Sequence, residues 1–351
     1  MNSQQYHSAT WQHGEVCLRC VERWQETHDV TSFRFQGEQS VKFHFKPGQF
    51  ITLMLNINGK AVARSYTISS SPSRPYSIVV TIKRIEGGVA SNYLVDHLQP
   101  GHSVTARGPD GAFNLVDINA DKYLFLSAGS GITPMYSMSR WLTDTQVGSN
   151  IALFHSAKSP QDLIFHQPLQ QLAQRNEHFS LTYCLEEGEI NDTDTYQGRI
   201  SLASLVSAVA DYKERTIFVC GPAPYMQAVK TMLEQAGFDM SRYHQESFGD
   251  APVVPLPSAA VADSAKFMLH IGDVKTPLSA KQTVLEGIEA EGLPIIAACR
   301  SGVCGACKCK VERGETQSSS SMTLTPDEIE QGYILACSTT LKSDVLLSLN
   351  G

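Results

Sequence analysis

The sequence predicts a multidomain chain: an antiparallel β-barrel, then a doubly wound α/β domain, then a small α+β domain. Three observations predict it. Residues 15–118 carry short alternating runs separated by turns. From residue 122 onward, continuous apolar runs alternate with helical stretches. The last 86 residues follow a break rich in proline and alanine. A chain of 351 residues is long enough for two or three domains, each with its own core.

In the first region, 1–118, the runs are VCLRCVERW, VTSFRFQ, FITLMLNI, YSIVVTIKRI and SVTARG, with Pro-Gly at 47–48 and 100–101. Period-two alternation bounded by turn residues marks half-buried strands. Many such strands with one brief helical stretch, SNYLVDHL, indicate a small antiparallel barrel. In 119–248, KYLFLSAG, IALFHSA, FSLTYCL and TIFVCG read as buried strands. PMYSMSRWL, DLIFHQPLQQLAQRN and PYMQAVKTMLEQAG read as the helices between them. That alternation gives a parallel, doubly wound sheet. Residues 249–265, GDAPVVPLPSAAVADSA, hold three prolines and five alanines with little amphipathic pattern and read as a linker. Residues 266–351 open with strand-like KFMLHIGD and helical TVLEGIEAEG, and are the right size for one small domain.

Composition narrows the function classes. A formal charge of −7 argues against a nucleic-acid partner held by a basic surface. No stretch approaches the roughly 18 apolar residues of a membrane span. The N-terminal MNSQQYHSATWQHGE lacks the basic-then-apolar order of a secretory signal, so the expected compartment is the cytoplasm. Nine cysteines, five of them near the C-terminus, suggest metal ligation rather than a disulfide framework.

Two stretches of the first region carry chemistry. Arg64-Ser65-Tyr66-Thr67 follows an expected strand. Arg offers a fixed fork of donors for phosphate, Tyr a flat face and a hydroxyl, and Thr a hydrogen bond to a ring nitrogen. Gly87 and Gly88 open the helical stretch with Val89, Ala90 and Ser91, where backbone N–H groups can approach a pyrophosphate. An ordinary strand and a capped helix are the plain alternative.

The second region holds a strand–Gly turn–helix unit: Ala128-Gly129-Ser130-Gly131, then Ile132, with Thr133 read as the N-cap and Pro134 as the first helical residue. It lacks the third glycine of GxGxxG, so a structural tight turn explains it equally well. Cys220-Gly221-Pro222 ends the last apolar strand. Ligands of open parallel sheets bind at the carboxyl ends of strands, so both Gly-containing ends should meet there. The alternative for Cys220 is a small buried residue filling a strand end. Lys158 in HSAKSPQD is placed to pair with a 2′-phosphate, and no acid stands at that strand end.

The third region holds CRSGVCGACKC. A four-cysteine zinc site pairs two C-x2-C knuckles, and only Cys304 and Cys307 form one here. The spacing Cys299-x4-Cys304-x2-Cys307, with Cys337 after 29 intervening residues, is that of a plant-type [2Fe–2S] cluster. Cys309 alternates with Lys308 and Lys310 in a strand pattern and reads as a packing residue. Cys17 and Cys20 sit in an alternating strand and read as structural.

R-x-Y-[ST] in a small barrel followed by a Gly-rich helix start resembles the ferredoxin–NADP reductase superfamily. KPGQF and LQPGHSVTARGPDGAF match its framework turns, and GxGxxP with CGP its nicotinamide site. The whole chain resembles reductases of this kind fused to a C-terminal plant-type ferredoxin domain, which is β-grasp-like. The resemblance implies that Arg64 contacts the flavin phosphates, that Ser65 beside it also borders the cofactor, that Tyr66 packs on the isoalloxazine and that Thr67 lies near N5. It implies that Gly88, Val89, Ala90 and Ser91 cradle the FAD pyrophosphate, FMN being the alternative. Cys220 would position the nicotinamide ring, and Phe248 in ESF would return an aromatic to the flavin. NADH is preferred over NADPH on the same ground.

The implied relay runs from NADH through FAD and [2Fe–2S] to a partner redox protein that a monomer docks transiently. RSYTISS, CGPAPYM, AACRSGVCGACK and SSMTLTPDEIEQGYILACS resemble the reductases of hybrid-cluster protein, of nitric oxide and hydroxylamine metabolism. The reductase component of an oxygenase system is the alternative, and a redox or metal sensor without turnover the reading of another class. Arg300, Lys308 and Lys310 beside the cluster offer a face to an acidic partner, or only keep a strand edge soluble.

Overall fold

The computed structural model describes residues 9–146, 148–190, 194–248, 266–293, 295, 302, 307–321 and 324–349. The expected linker, 249–265, lies outside them. The chain divides into two compact units, Met1–Phe248 and Gly249–Gly351.

The first unit begins with strands β1 (Ala9–Trp11), β2 (Glu15–Thr27), β3 (Val30–Gly37), β4 (Val41–Phe43), β5 (Phe50–Ile57), β6 (Lys60–Thr67) and β7 (Ile78–Lys83). Helix α1 (Val89–His97) and strand β8 (Ser103–Asp110) follow. β1 and β4 form a short parallel ribbon. The other six strands run β6-β5-β8-β2-β3-β7, all neighbours antiparallel, and an Ile68–Val80 bridge brings the two edges together. Alternation sends Leu18, Phe33, Phe35, Ile51, Leu53, Ile78 and Val80 into one core. The Arg23 guanidinium donates to the Val95 and Leu98 carbonyls, both at 3.2 Å, and so satisfies the otherwise open C-terminal end of α1.

Arg64–Thr67 do not follow a strand; they are its second half. Asn58 and Gly59 both have positive φ, 53° and 79°, and make the two-residue hairpin that turns β5 into β6. Asn-Gly between apolar runs is a strong hairpin signal and makes this strand legible.

The α/β part comprises β9 (Lys122–Ala128), α2 (Ile132–Thr145), β10 (Asn150–Ala157), α3 (His166–Arg175), β11 (Phe179–Leu185), β12 (Asp194–Gln197), α4 (Leu202–Ala208), β13 (Thr216–Cys220), α5 (Ala223–Gln235) and β14 (Tyr243–Glu246). The sheet order is β12-β11-β10-β9-β13-β14, parallel throughout. Tyr123 and Phe125 of β9 enter one core, Leu124 and Leu126 the other. Burial on both faces is why the strand reads as an unbroken apolar run. Its chain order reverses between β9 and β13, which is where such sheets bind ligands.

Two helix starts differ from the sequence reading. α2 is capped by Gly131, not Thr133, because Gly129–Gly131 forms a 3₁₀ turn and the helix begins at Ile132. Thr133 Oγ1 instead donates to the Ser130 carbonyl at 3.0 Å, and Pro134 is the third helical residue rather than the first. α3 begins only at His166, since Phe165 is left-handed at φ 60°.

The second unit holds β15 (Lys266–Ile271), β16 (Val274–Ser279), α6 (Val284–Ala290), β17 (Lys308–Arg313), β18 (Thr316–Ser318), α7 (Pro326–Glu330), β19 (Tyr333–Leu335), β20 (Thr339–Leu341) and β21 (Val345–Ser348). The order β16-β15-β21-β17-β19 is mixed, with β15 and β21 parallel at its centre, and β18 pairs with β20. A capping box between Thr283 and Glu286 starts α6, which buries Val284, Leu285 and Ile288.

Candidate functional site

β6 pairs with β5 so that Ser65 Oγ and Thr52 Oγ1 stand 2.9 Å apart, while Tyr66 and Thr67 end the strand. Tyr66 is half-buried; burial pushes its phenol above the ordinary value, and Arg64 opposes that shift. Thr67 is buried, and its hydroxyl has no hydrogen-bond partner among the described residues. A buried hydroxyl left unpaired costs about 1–3 kcal/mol, so a bound group that pairs it recovers that cost. α1 packs against β5, β6 and β7. Its N-cap, Gly88, makes no side-chain cap and has no acid in the following turn. A Cβ on Gly88 would stand 2.6 Å from Ser91 Oγ and 3.1 Å from the Ile85 carbonyl oxygen, so a larger residue there must turn the Ser91 side chain. Beside it Ile85 and Val89 are exposed apolar side chains, half or more open to solvent. An orphaned hydroxyl, a bare helix start and uncovered apolar surface fit a flavin dinucleotide.

The Gly129–Gly131 turn lies against β7, β9 and β10. A Cβ on Gly131 would fall 2.1 Å from the Cys220 carbonyl oxygen and 2.6 Å from the Gly221 nitrogen. The two glycine-bearing strand ends therefore touch backbone to backbone. Gly221 in turn admits no Cβ without meeting Tyr225 at 2.9 Å. Pro222 is the N-cap of α5. Cys220 is fully buried, and burial, then the nearby Glu246, push its thiol well above the ordinary value. A neutral thiol beneath the turn presents a small, polarizable surface rather than a nucleophile. Ser137 Oγ donates to the Ser70 carbonyl at 2.7 Å and Ser73 Oγ to Asp144 at 2.6 Å, tying α2 to the segment that follows β6. The Arg64–Thr67 strand end, the start of α1 and the two glycine-bearing turns thus sit in one unit.

Lys158 is exposed at the strand end of β10. Phe248 is 43% exposed at the end of the first unit, so it is not a core residue. Glu246, in register with Cys220 on β14 and nearly buried, was not anticipated; only its place in the ESF segment marked it.

Cys299 and Cys304 lie outside the described residues. Cys307 and Cys337 are buried together: the Cys337 N–H points at Cys307 Sγ at 3.4 Å, and the Gly302 N–H at Cys337 Sγ at 3.1 Å. Sulfurs that collect amide donors suit thiolate ligands of an iron–sulfur cluster. Cys309 is different. It is fully buried in β17, its sulfur 4.0 Å from the Ile334 carbonyl, and burial pushes its thiol up to about 12. Lys308 pairs with Glu328 at 2.8 Å, and Lys308 and Lys310 flank the Tyr333 ring at 5.4 and 5.9 Å.

Family comparison covers the same three parts. Residues 18–115 match an oxidoreductase FAD-binding domain, 125–231 an oxidoreductase NAD-binding domain and 269–342 a 2Fe-2S iron-sulfur cluster binding domain. The chain is 42% identical to the glycine betaine monooxygenase reductase subunit of Pseudomonas aeruginosa, over 96% of each protein. It is 33% identical to the NADH oxidoreductase HCR of Escherichia coli, over 92% of this chain and 94% of that one. Among solved structures, phthalate dioxygenase reductase shares the fold at a TM-score of 0.64 and 22% identity, covering 95% of this chain and 98% of that one. Among the described residues, no helix is long and apolar enough to cross a membrane. The chain therefore belongs to the flavin- and iron–sulfur-dependent NAD(H) oxidoreductases, in which FAD-binding, NAD-binding and [2Fe–2S] domains follow one another along one polypeptide.

Proposed function

We propose that this reductase is the electron-supplying component of an oxygenase system, drawing on NADH and passing electrons from its [2Fe–2S] domain to a separate oxygenase. The observation that carries this is the 42% identity, end to end, with a monooxygenase reductase subunit. Hybrid-cluster protein as acceptor is the second reading, supported by the weaker full-length match to HCR. The reductase works as a monomer in the cytoplasm and docks its acceptor transiently.

Each residue has a part in this reading. Arg64 and Ser65 meet the flavin phosphates, Tyr66 covers the ring and the unpaired Thr67 hydroxyl bonds to it near N5. Gly88, Val89, Ala90 and Ser91 present the bare start of α1 to the FAD pyrophosphate. Gly129, Ser130, Gly131, Ile132, Thr133 and Pro134 hold the nicotinamide dinucleotide. Cys220, Gly221 and Pro222 keep the floor beneath its ring small and uncharged, and Phe248 returns an aromatic to the flavin. Cys299, Cys304, Cys307 and Cys337 ligate the cluster. Bound FAD supplies the conversion of a two-electron donor into one-electron steps.

The test is reconstitution. The purified reductase is mixed with the oxygenase component of the Pseudomonas aeruginosa glycine betaine monooxygenase or with hybrid-cluster protein, and NADH consumption coupled to each acceptor's turnover is measured. Faster coupled turnover with hybrid-cluster protein would reverse the order of the two readings. NADPH run in parallel decides the coenzyme.

A further inference from the structure

The cluster-binding unit contains a closed circuit of hydrogen bonds that no ligand assignment uses. The Gly302 N–H donates to Cys337 Sγ at 3.1 Å. The Gly302 carbonyl accepts from Ser320 Oγ at 2.6 Å. The Ser320 carbonyl accepts from Ser338 Oγ at 2.9 Å, and Ser338 directly follows Cys337 in the chain. Held at both its N–H and its carbonyl, Gly302 has little freedom to turn its amide away from the sulfur.

Packing fixes the same residue. Gly302 has φ +73°, and a Cβ there would stand 2.6 Å from Ser338 Oγ and 2.7 Å from Ser320 Cβ. Only glycine fits, and it fits against the two serines that form the circuit. Ser320 is itself anchored: β18 and β20 pair Ser318 with Thr339, and the Ser319 N–H donates to the Ser338 carbonyl at 2.8 Å. Ser338 Oγ also reaches the Leu335 carbonyl at 3.3 Å, at the end of β19.

We propose that Ser320 is a positioning residue that raises the reduction potential of the cluster by holding the Gly302 amide on the Cys337 thiolate. An N–H···S bond favours the reduced, more negative cluster over the oxidised one, so it raises the potential. The Ser320 hydroxyl bonds to the Gly302 carbonyl and to neither described cysteine sulfur, so it acts through Gly302. The inference rests on Cys337 being a ligand and is independent of which protein accepts the electron.

The experiment uses the full-length holoprotein. Ser320→Ala, Ser320→Thr and Ser319→Ala are each titrated anaerobically, with the cluster followed by EPR and iron content measured alongside. Ser320→Ala should keep its iron and lower the midpoint potential by an equilibrium shift of about tenfold, which is about 59 mV for a one-electron couple. Ser320→Thr, which keeps the hydroxyl, should restore most of it. Ser319→Ala removes the bond from the Ser319 hydroxyl to the Ser338 carbonyl, 3.1 Å, but none of the circuit's own bonds, and should titrate as the native protein. A native potential in Ser320→Ala with full iron overturns the proposal, as does an equal fall in Ser319→Ala, which would report general loosening. If Ser320→Ala loses iron, Ser338→Ala, which releases the Ser320 backbone, decides: a lowered potential supports the proposal and an unchanged one overturns it. The ligand reading fails separately, if Cys337→Ser keeps a cluster of native spectrum and potential.

Discussion

Gly131→Ala is the substitution whose cost follows most directly from the structure. Gly131 has φ −62°, a value every residue adopts, so backbone strain plays no part. The cost is contact alone. The added Cβ would lie 2.1 Å from the Cys220 oxygen, 2.4 Å from its carbonyl carbon and 2.6 Å from the Gly221 nitrogen. None of these atoms ends a flexible side chain, so the two strand-end turns must separate by roughly 1 Å. Overpacking of this kind costs about 1–3 kcal/mol, and a backbone-on-backbone clash belongs at the upper end. For a unit of this size, about 3 kcal/mol lowers Tm by roughly 6–12 °C. Displacement of about 1 Å at a site that orients a reactant costs on the order of 100-fold in rate. Two assays read the outcome: thermal unfolding by circular dichroism, and stopped-flow bleaching of the flavin by NADH. The cluster, reduced chemically, should keep its native EPR signal because it lies in the other unit. A variant with native Tm and native bleaching rate would refute both the close approach of the turns and their role at the nicotinamide.

The remaining predictions concern other groups. Thr67→Val should weaken flavin binding or slow its reduction by up to about tenfold, the worth of one hydrogen bond, while leaving the flavin-free protein no less stable; fluorescence titration with FAD and stopped-flow reduction check it. Cys307→Ser and Cys337→Ser should each damage the cluster, as should Cys299→Ser and Cys304→Ser. Cys309→Ser should keep two irons per chain and lose only about 1–3 kcal/mol for burying a hydroxyl, read by iron assay and urea denaturation. Burial holds the His155 imidazole down to about 4, so the unfolded chain, titrating near 6.5, takes up the proton first. Its contribution, roughly 3 kcal/mol, is fully present above pH 6.5 and is lost as pH falls towards 4. His155→Gln should flatten the acid limb of the urea stability profile of the first unit; an unchanged slope would show that His155 is not its source.

How much of this was legible in the sequence depended on whether a signal was local. Alternation in CKCKVERGE separated Cys309 from the ligand spacing, because a strand's period is a property of neighbouring residues. Thr133 misled for a physical reason. Thr-Pro is a good local helix start, but the contact of Gly131 with Cys220 pulls the turn into a 3₁₀ form and shifts the cap by two residues. That contact joins positions 89 residues apart and leaves no local mark.

The serine run at 318–321 makes the same point from the other side. SSSS has no period, no charge and no spacing to other ligand-like residues, so by itself it reads as a polar turn. Its meaning comes from pairing with Thr339 and Ser338, which brings one hydroxyl of the four onto the Gly302 carbonyl. The spacing of Cys299, Cys304, Cys307 and Cys337 marks the kind of metal site in the sequence. The tuning proposed for that site rests instead on a glycine at φ +73° and two serines that close around it. Ligand spacing can therefore be preserved in a relative while its potential is retuned by a change at 320 or 338, with no change in any residue that touches the metal.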